Sequence, residues 1–290
     1  MATLRQLRDR VKSLRNTQQI TRAMKMVAGA RIRRAELAMR AARPYAAAIT
    51  EMLRALAATG GAQHPLLEKR EIHNSGIVLI TADKGLAGAF NSNLARAGAL
   101  LARESTNPRF YLVGIKGRVQ IRTMHFTIEA DWSLQSKPFV DLARDIAARV
   151  SDDFLSGKVD AVTLIASRFV STIVQRPVRA GLLPIAPEVS SSEPALKTPA
   201  SGLRNSFEFE PDPKAVLAAL LPKYLEFTIF QALLETQASE FAARLIAMTN
   251  ATDNAGKLID ELTLVMNKTR QATITREILE IVGGAEALRS

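Results

Sequence analysis

The turn that follows the apolar run at residues 77–82 carries the residues most suggestive of chemistry. It has the sequence TADKGLAGAFN over residues 81–91. In α/β proteins, phosphates bind where a strand leads into a helix in this way. The turn lacks the Gly-Lys-Ser/Thr ending of a P-loop and the third glycine of a dinucleotide fingerprint. We therefore favour a tight strand-to-helix connection, with a small α/β enzyme that uses Asp83–Asn91 as an alternative.

Catalytic and metal-binding residues are hard to find elsewhere. The three histidines, His64, His73 and His125, do not stand at a metal-ligand spacing, and the chain has no cysteine. Disulfides, thiolate catalysis and cysteine metal sites are thereby excluded. No nucleophile–base signature appears either. We expect no catalytic residue, no metal and no cofactor.

The N-terminal end of the chain has the pattern of one long helix. From Thr3 to about Ala57, only Gly29 and Pro44 interrupt it. Apolar residues with 3-4-3 spacing start one stripe of a helix. We expect the stripe to slip at Gln18 and Thr21 before it resumes. Its predicted members are Leu4, Leu7, Val11 and Leu14, followed by Ile20, Met24, Val27 and Ala28.

The C-terminal end shows the same design more clearly. Apolar and small residues alternate at spacings of four and three over nearly five heptads, which predicts a coiled-coil seam. They are Leu234, Ala238, Phe241, Leu245, Met248, Thr252, Ala255, Ile259, Leu262 and Met266. We expect a helix from Lys223 to about Val282, paired antiparallel with the N-terminal helix. Asp253 on that helix is expected to be a surface or interhelical hydrogen-bonding group.

The middle of the chain has a different pattern. Apolar, β-branched runs of strand length at 77–82, 110–115 and 159–166 alternate with helical stretches near 86–103 and 139–155. This alternation predicts a parallel-sheet, Rossmann-like α/β domain inserted between the long helices. The fold class is thus α+β or α/β with a terminal coiled coil. The predicted domains are 1–58, 70–212 and 213–290, with a Pro/Ser-rich loop at 184–213 and a possible short strand at 205–210.

Charge and hydropathy indicate where partners bind. Residues 1–58 carry thirteen Lys or Arg against Asp9, Glu36 and Glu51, so most of the net charge of +11 lies on one helix. A basic helix of this kind favours an anionic partner, and a basic coiled-coil nucleic-acid binder is the alternative function. No apolar run approaches the roughly 18 residues that span a bilayer, so we expect no membrane insertion.

The last residues of the chain continue an apolar stripe that needs a cover. Its members are Ile274, Ile278, Ile281, Val282, Ala285 and Leu288. Packing within the chain is one explanation of this stripe. A sleeve supplied by other subunits is the other.

Several stretches together resemble the F-type ATP synthase γ subunit family. They include NTQQITRAMKMVA at 16–28, DKGLAG at 83–88, LLP at 182–184, ASEFAAR at 238–244, ATDNA at 251–255 and NKTRQATIT at 267–275. The two terminal groups are highly specific and the resemblance extends over essentially the whole chain. It implies a bacterial-type γ subunit without the photosynthetic regulatory insertion.

This resemblance implies a central rotor shaft that couples ion flow through a membrane c ring to ATP synthesis or hydrolysis. The shaft would have no catalytic site of its own and would regulate ATPase activity as a non-catalytic subunit. Its partners would be the α and β subunits of the catalytic hexamer, the ε subunit, the δ subunit of the same complex and the c ring. The chain would be a peripheral protein on the cytoplasmic face of the bacterial cell membrane and would bind no nucleic acid.

The resemblance also assigns roles to residues. Met24 and Lys25 match positions that touch an acidic loop of the catalytic subunits, and Arg270 with Gln271 matches a hydrogen-bonding catch. The hydrophobic bearing would be Ile274, Ile278, Ile281, Val282 and Leu288. The foot on the c ring would be Phe207, Glu208, Phe209 and Glu210. Because the chain lacks cysteine, the thiol switch of photosynthetic relatives is not expected.

Overall fold

A computed structural model describes residues 3–58, 64–186 and 212–287. Its contacts divide the chain into two compact units, Met1–Ala30 with Arg244–Ser290 and the intervening Arg31–Ala243. We call the first the helix-pair unit and the second the α/β unit. The division into domains 1–58, 70–212 and 213–290 stays a prediction.

The long helices are α1, Leu4–Ala58, and α5, Pro213–Ala287, and each contributes to both units. Each contains one internal proline, Pro44 in α1 and Pro222 in α5. The sequence-based start of α5 at Lys223 was therefore wrong. An internal proline removes one helical hydrogen bond, but Pro222 itself is exposed while Leu221 and Leu225 on either side are buried. Burial of that stripe holds the helix together across the proline.

In the helix-pair unit, α1 and α5 are antiparallel. The Gln18 side-chain amide donates to the Thr252 carbonyl, and the hydroxyls of Thr21 and Thr252 are 2.8 Å apart. A Cβ built on Gly29 would lie 3.9 Å from Leu245. Counting back one residue on α1 for each residue forward on α5, from Gly29 beside Leu245, places Leu4 opposite Arg270. The predicted antiparallel pairing is confirmed.

The seam is the set of α1 and α5 residues at heptad positions that face inward. On α5 all ten predicted members are buried or half-buried. On α1 the predicted slip was wrong, because Ile20 and Val27 are 62% and 51% exposed. The α1 stripe instead keeps its 3-4 spacing without a break, and three of its positions are polar. Its members are Leu4, Leu7, Val11, Leu14, Gln18, Thr21, Lys25, Ala28, Ile32, Ala35 and Met39.

The α/β unit is built on a five-stranded sheet of order β3-β2-β1-β4-β5. The strands are β1 (Ser75–Ile80), β2 (Arg109–Val113), β3 (Thr127–Trp132), β4 (Ala161–Phe169) and β5 (Gln175–Leu183). The first four are parallel in space, whereas β5 runs antiparallel to β4. The predicted fold class is confirmed, although β3 and β5 were not predicted.

Helices cover both faces of the sheet. One face packs against α2, Phe90–Glu104, and α3, Ile115–Thr123. The other packs against α4, Phe139–Leu155, together with the end of α1 and the beginning of α5. Leu53 of α1 and Leu225 and Ile229 of α5 are buried in this second core. The short 3-10 helix Pro65–Leu67 also contributes, through Leu66.

Part of α5, between Lys214 and Val282, is long and apolar enough to cross a membrane when only length and composition are considered. The sequence-based statement that no segment reaches this threshold was therefore too strong. It considered uninterrupted apolar runs, whereas α5 combines apolar stretches with sparse charges. Leu221, Leu225 and Leu233 from this helix are fully buried in the α/β core, and burial of that kind gives a core helix the same composition.

Candidate functional site

The turn after β1 uses its polar groups to join neighbouring connections of the sheet. The Asp83 carboxylate accepts from the Ile115 amide through one oxygen, at 3.0 Å. Its other oxygen accepts from the Ser133 hydroxyl at 2.7 Å and the Gln135 amide at 3.1 Å. Asp83 therefore links the start of α3 and the turn after β3 to the end of β1.

Thr81 and Asn91 complete the internal bonding of this turn. The Thr81 hydroxyl donates to the Val113 carbonyl and accepts from the Gly117 amide at 2.9 Å. The Asn91 side chain accepts from the Ala82 amide and donates to the Lys84 carbonyl. A phosphate-binding turn needs backbone amides that point at the ligand. The Ala82 amide of this turn, and the neighbouring Ile115 and Gly117 amides of α3, already have protein acceptors. The geometry favours the structural interpretation of residues 81–91.

Two glycines make this close packing possible. A Cβ on Gly114, whose φ is +98°, would lie 2.3 Å from the Thr81 carbonyl oxygen. A Cβ on Gly117 would lie 2.6 Å from the Thr81 hydroxyl oxygen. Both distances are shorter than any normal contact, so β1 and the start of α3 approach as closely as they do only because neither residue has a side chain.

A charged network ties α4 to β2 of the sheet. The Tyr111 hydroxyl donates to the buried Asp153 carboxylate at 2.7 Å, and Arg149 donates to the same carboxylate at 3.0 Å. Burial and this hydrogen bond raise the pKa of Tyr111 above its ordinary value. Each buried polar group here has a charged or hydroxyl partner, as stability requires, so the network is a structural one.

Glu129 on β3 extends the network. Burial by itself would raise the pKa of its carboxyl, but hydrogen bonds from Lys158 and Arg109 outweigh burial and hold the pKa below its ordinary value. Glu235 on α5 is the opposite case. Burial raises its pKa although a hydrogen bond from Gln231 and the charges of Arg168 and Arg43 act against that rise.

The histidines occupy separate places. His64 caps the 3-10 helix by accepting from the Leu66 amide, and burial lowers its pKa. His73 lies 3.8 Å from Glu71 on the surface, and His125 follows α3. Within residues 3–58, 64–186 and 212–287, no cluster of three or more His, Asp or Glu side chains is arranged to hold a metal ion.

The candidate partner-contact residues lie in two places on the helix-pair unit. Met24 and Lys25 are half-exposed on α1, and Lys25 occupies a seam position. Arg270 and Gln271 are exposed on α5. The register puts Lys25 opposite about residue 249, so the two pairs are separated by roughly 30 Å along α5. The structure does not bring them together into one site.

Beyond Arg270, α5 continues past the first residue of α1. We call residues 271–287 the α5 extension. Every residue from Gln271 to Val282 is exposed, including the predicted bearing residues. Ile278 and Ile281 are 54% and 72% exposed. Ile274 and Val282 are exposed to a similar degree, whereas Leu288 lies outside the described residues, as do the predicted foot residues Phe207–Glu210 and the predicted strand at 205–210.

Sequence reasoning missed one group of residues that the structure brings together. Gln18 and Thr21 of α1 meet Thr252 and Gly256 of α5 in the seam. An unbroken 3-4 spacing from Leu4 to Met39 would have found the two α1 positions. It was missed because polar residues were taken as gaps in the apolar stripe.

Comparison with known proteins adds to this geometry. A protein-family model described as ATP synthase matches residues 3–288. The ATP synthase gamma chain of Desulforamulus reducens is 47% identical over 290 residues, which cover 99% of this chain and 100% of that one.

Solved structures share the fold. A chain in the Euglena gracilis mitochondrial ATP synthase, with OSCP, F1 and c-ring in rotational state 3, matches 98% of this chain and 94% of its own length, with a TM-score of 0.67 and 20% identity. A chain in the central stalk and c-ring of the Tetrahymena thermophila enzyme matches 80% of this chain and 99% of its own length, with a TM-score of 0.61 and 24% identity. With its long helix pair, its α/β unit and full-length relatives of this kind, the chain belongs to the ATP synthase gamma chain family.

Proposed function

We propose that this chain is the central rotor shaft of a bacterial F-type ATP synthase, coupling ion flow through a membrane c ring to ATP synthesis or hydrolysis in a catalytic hexamer. Family membership supports the role. The single structural observation that carries it is the α5 extension, an uncovered helix end with an apolar stripe.

An exposed apolar stripe of this length needs a cover, because burying one Ile or Leu side chain contributes about 1.5–3 kcal/mol. The partner that fits is an apolar sleeve around the helix, which the α and β subunits of the hexamer would form. Ile274, Ile278, Ile281, Val282 and Leu288 would be the bearing surface. Nondirectional apolar contacts suit a bearing, because they hold the helix end without fixing one angle.

The basic side of α1 gives the second contact. Arg8, Arg15 and Arg22 are exposed in the helix-pair unit. They would face acidic loops of the catalytic subunits, with Met24 and Lys25 at the point of contact. Screened surface pairs contribute only about 0–1 kcal/mol each, so such an attraction is compatible with rotation.

Arg270 and Gln271 would form a catch at the point where α5 leaves α1. An arginine can donate two charge-assisted hydrogen bonds to one carboxylate. Both residues are exposed, so neither has to leave a packed position to engage a catalytic subunit.

The α/β unit would bind the remaining partners. We place the ε subunit and the c ring there, with Phe207, Glu208, Phe209 and Glu210 as the foot, and the δ subunit elsewhere in the same complex. The chain would then be a peripheral protein on the cytoplasmic face of the cell membrane, with no catalytic site and no cofactor. A nucleic-acid-binding role has no support among its relatives.

The test is Arg270→Ala with Gln271→Ala in the complete ATP synthase. We expect normal assembly and coupled ATP synthesis reduced roughly tenfold, which corresponds to about 1.4 kcal/mol. Lys268→Ala, at an exposed position just before the catch, is the matched control and should leave synthesis unchanged. Unchanged synthesis in the double variant would remove the catch assignment. Failure of the wild-type chain to copurify with α and β subunits would overturn the shaft role.

A further inference from the structure

Three neighbouring α1 positions in the seam are polar. Gln18, Thr21 and Lys25 follow the apolar residues Leu7, Val11 and Leu14 at the same heptad spacing. Thr21 is buried, and so is Thr252 opposite it. Burying hydroxyls costs free energy unless they are hydrogen-bonded, so we followed the hydrogen bonds that these two hydroxyls make.

The two threonine hydroxyls form a chain of hydrogen bonds that joins the two helices. Thr252 Oγ1 is 2.8 Å from Thr21 Oγ1 and 2.7 Å from the Met248 carbonyl oxygen. Thr21 Oγ1 is 3.0 Å from the Gln18 carbonyl oxygen. If Thr21 donates to Thr252, the chain ends on the α5 backbone; if Thr252 donates to Thr21, it ends on the α1 backbone. Both protons are satisfied in either direction.

Gln18 adds a bond that depends on Gly256. The Gln18 amide nitrogen donates to the Thr252 carbonyl oxygen at 3.4 Å, and a Cβ on Gly256 would lie 3.0 Å from that nitrogen. A glycine inside a helix costs about 1 kcal/mol relative to alanine. The space that Gly256 leaves for the Gln18 side chain accounts for its presence there.

We propose that this polar layer, formed by Gln18, Thr21, Thr252 and Gly256, sets the axial register of α1 against α5. Most neighbouring seam contacts are apolar and come from residues such as Leu14, Ala28 and Ala255. Nondirectional contacts of this kind would be remade after a shift of one heptad. The directional bonds of the layer would not be remade after that shift. A single buried polar position specifies coiled-coil register in the same way, at a cost in stability.

The register determines where the α5 extension begins. With Leu4 opposite Arg270, the exposed stretch starts at the predicted catch. A shift of one heptad displaces the helices by about 10 Å. In one direction it would cover Arg270 and Gln271 with α1, and in the other it would lengthen the uncovered stretch. The importance of this placement rests on the proposed shaft role, whereas the register itself is a property of this chain alone.

The absence of cysteine allows a direct test with the full chain. One double variant, Gly29→Cys with Leu245→Cys, links residues that are neighbours in the observed register. A second, Arg22→Cys with Leu245→Cys, links residues that would be neighbours after a one-heptad shift. A disulfide requires Cα atoms within about 7 Å, so each pair reports one register. In the otherwise wild-type chain we expect the first pair to oxidise and the second to remain reduced.

Each pair is then combined with Thr21→Val and Thr252→Val, which remove the hydroxyl chain and keep the side-chain size. We expect the first pair to lose disulfide yield and the second to gain it, while the thermal midpoint of the chain stays the same or rises. Apolar side chains can replace a buried polar pair without loss of stability, so the register can change while the thermal midpoint does not fall. If the hydroxyls only stabilised the chain, their removal would lower the thermal midpoint and leave the register unchanged. Wild-type disulfide yields in the valine variant would overturn the proposal.

Two further variants keep the result interpretable. Thr249→Val is the matched control, because its hydroxyl donates within α5 to the Leu245 carbonyl, and it should leave both yields unchanged. Gly256→Ala forces the Gln18 amide to move and should shift the yields in the same direction as the valine pair. If the valine variant does not fold, unchanged yields in Gly256→Ala overturn the proposal. Failure of the chain to assemble with α and β subunits would refute the shaft role and leave these yields as they are.

Discussion

The turn after β1 and the α5 extension were both singled out by sequence, and the structure treats them in opposite ways. In the turn, Asp83 and Thr81 are hydrogen-bonded to other parts of the α/β unit, and Asn91 is hydrogen-bonded within the turn itself. On the extension, apolar residues such as Ile278 and Ile281 lie uncovered. The polar side chains of the first region have partners within the chain, whereas the apolar side chains of the second are exposed.

This difference shows how a motif in the framework can be told from a surface that needs a partner. The sequence of a glycine-rich turn is compatible with ligand binding, but the hydrogen-bond partners of its polar atoms show that this one connects parts of the fold. The sequence of an apolar helix end is compatible with a core, but α1, which covers the rest of this part of α5, begins at Leu4, opposite Arg270. Substitutions in the turn should therefore destabilise the chain, whereas substitutions in the extension should affect assembly.

The largest effect on folding is expected for Gly114→Ala, at the residue that precedes α3 and packs against Thr81 of the turn. The new methyl group would lie 2.3 Å from the Thr81 carbonyl oxygen at a φ of +98°. Overpacking together with backbone strain should lower the free energy of unfolding by about 3 kcal/mol or more. Urea unfolding of the full chain measures the change.

Gly157→Ala separates these two causes. Gly157 also has a positive φ, +74°, but a Cβ there would meet nothing within 4 Å. Its substitution should cost only the backbone strain, about 1 kcal/mol. Equal losses for the two alanine variants would contradict the close-packing explanation of the turn.

A smaller effect on folding is expected for Ile274→Asp with Ile278→Asp on the extension. Both side chains are exposed, so the free energy of unfolding of the isolated chain, measured with urea, should stay within about 0.5 kcal/mol of wild type. Binding to coexpressed α and β subunits should weaken more than tenfold, because about 1.5–3 kcal/mol is lost for each apolar side chain that is no longer buried.

Glu280→Ala on the same extension is the control for that double variant, and it should retain binding. Two outcomes would break the comparison between the regions. The aspartate variant could unfold more easily than wild type, which would place the stripe inside a core. It could also bind α and β subunits with full affinity, which would mean that no sleeve covers the stripe.

The smallest effect concerns two carboxyl groups of the α/β unit and sharpens the comparison, because both have hydrogen-bond partners within the chain. Burial raises the pKa of Glu235. The folded state therefore binds this proton more tightly than the unfolded state, and the contribution to stability is lost as pH rises through the folded pKa. Glu235→Gln should raise the thermal midpoint at pH 7 and have little effect near pH 4.

Glu129→Gln should change the thermal midpoint at pH 7 in the opposite direction. Hydrogen bonds from Lys158 and Arg109 hold the pKa of Glu129 low, so its charge stabilises the fold above the unfolded pKa, and that stability is lost as pH falls through the folded value. The amide variant should lower the midpoint at pH 7 and converge with wild type in acid. Identical pH profiles for the two variants would show that local charge does not determine these stabilities.

Sequence predicted the strongly periodic parts of the fold well. The α5 seam is where its heptads placed it, and α4 has the predicted bounds, because regular spacing places apolar residues on one side of a helix. The turn at 81–91 was also interpreted correctly as a strand-to-helix connection.

The remaining features depend on contacts that local pattern does not contain. β5 includes Arg176, Pro177 and Arg179, which are unfavourable in a central strand but acceptable at the edge of a sheet. Gln18 and Thr21 belong to the seam because Thr252 and Gly256 lie opposite, and these partners are more than 200 residues away. The roles of Met24, Lys25, Arg270 and Gln271 stay predictions, since they concern other subunits.

The position of Asp83 has a consequence for how the sheet assembles. Its donors come from Ile115, Ser133 and Gln135, 32 to 52 residues along the chain. All three can reach the carboxylate only after β1, β2 and β3 have aligned in their final order. Contacts of such long sequence separation form late in folding. The hydrogen bonds to Asp83 therefore stabilise only the correct strand order, and a sheet with another order lacks them.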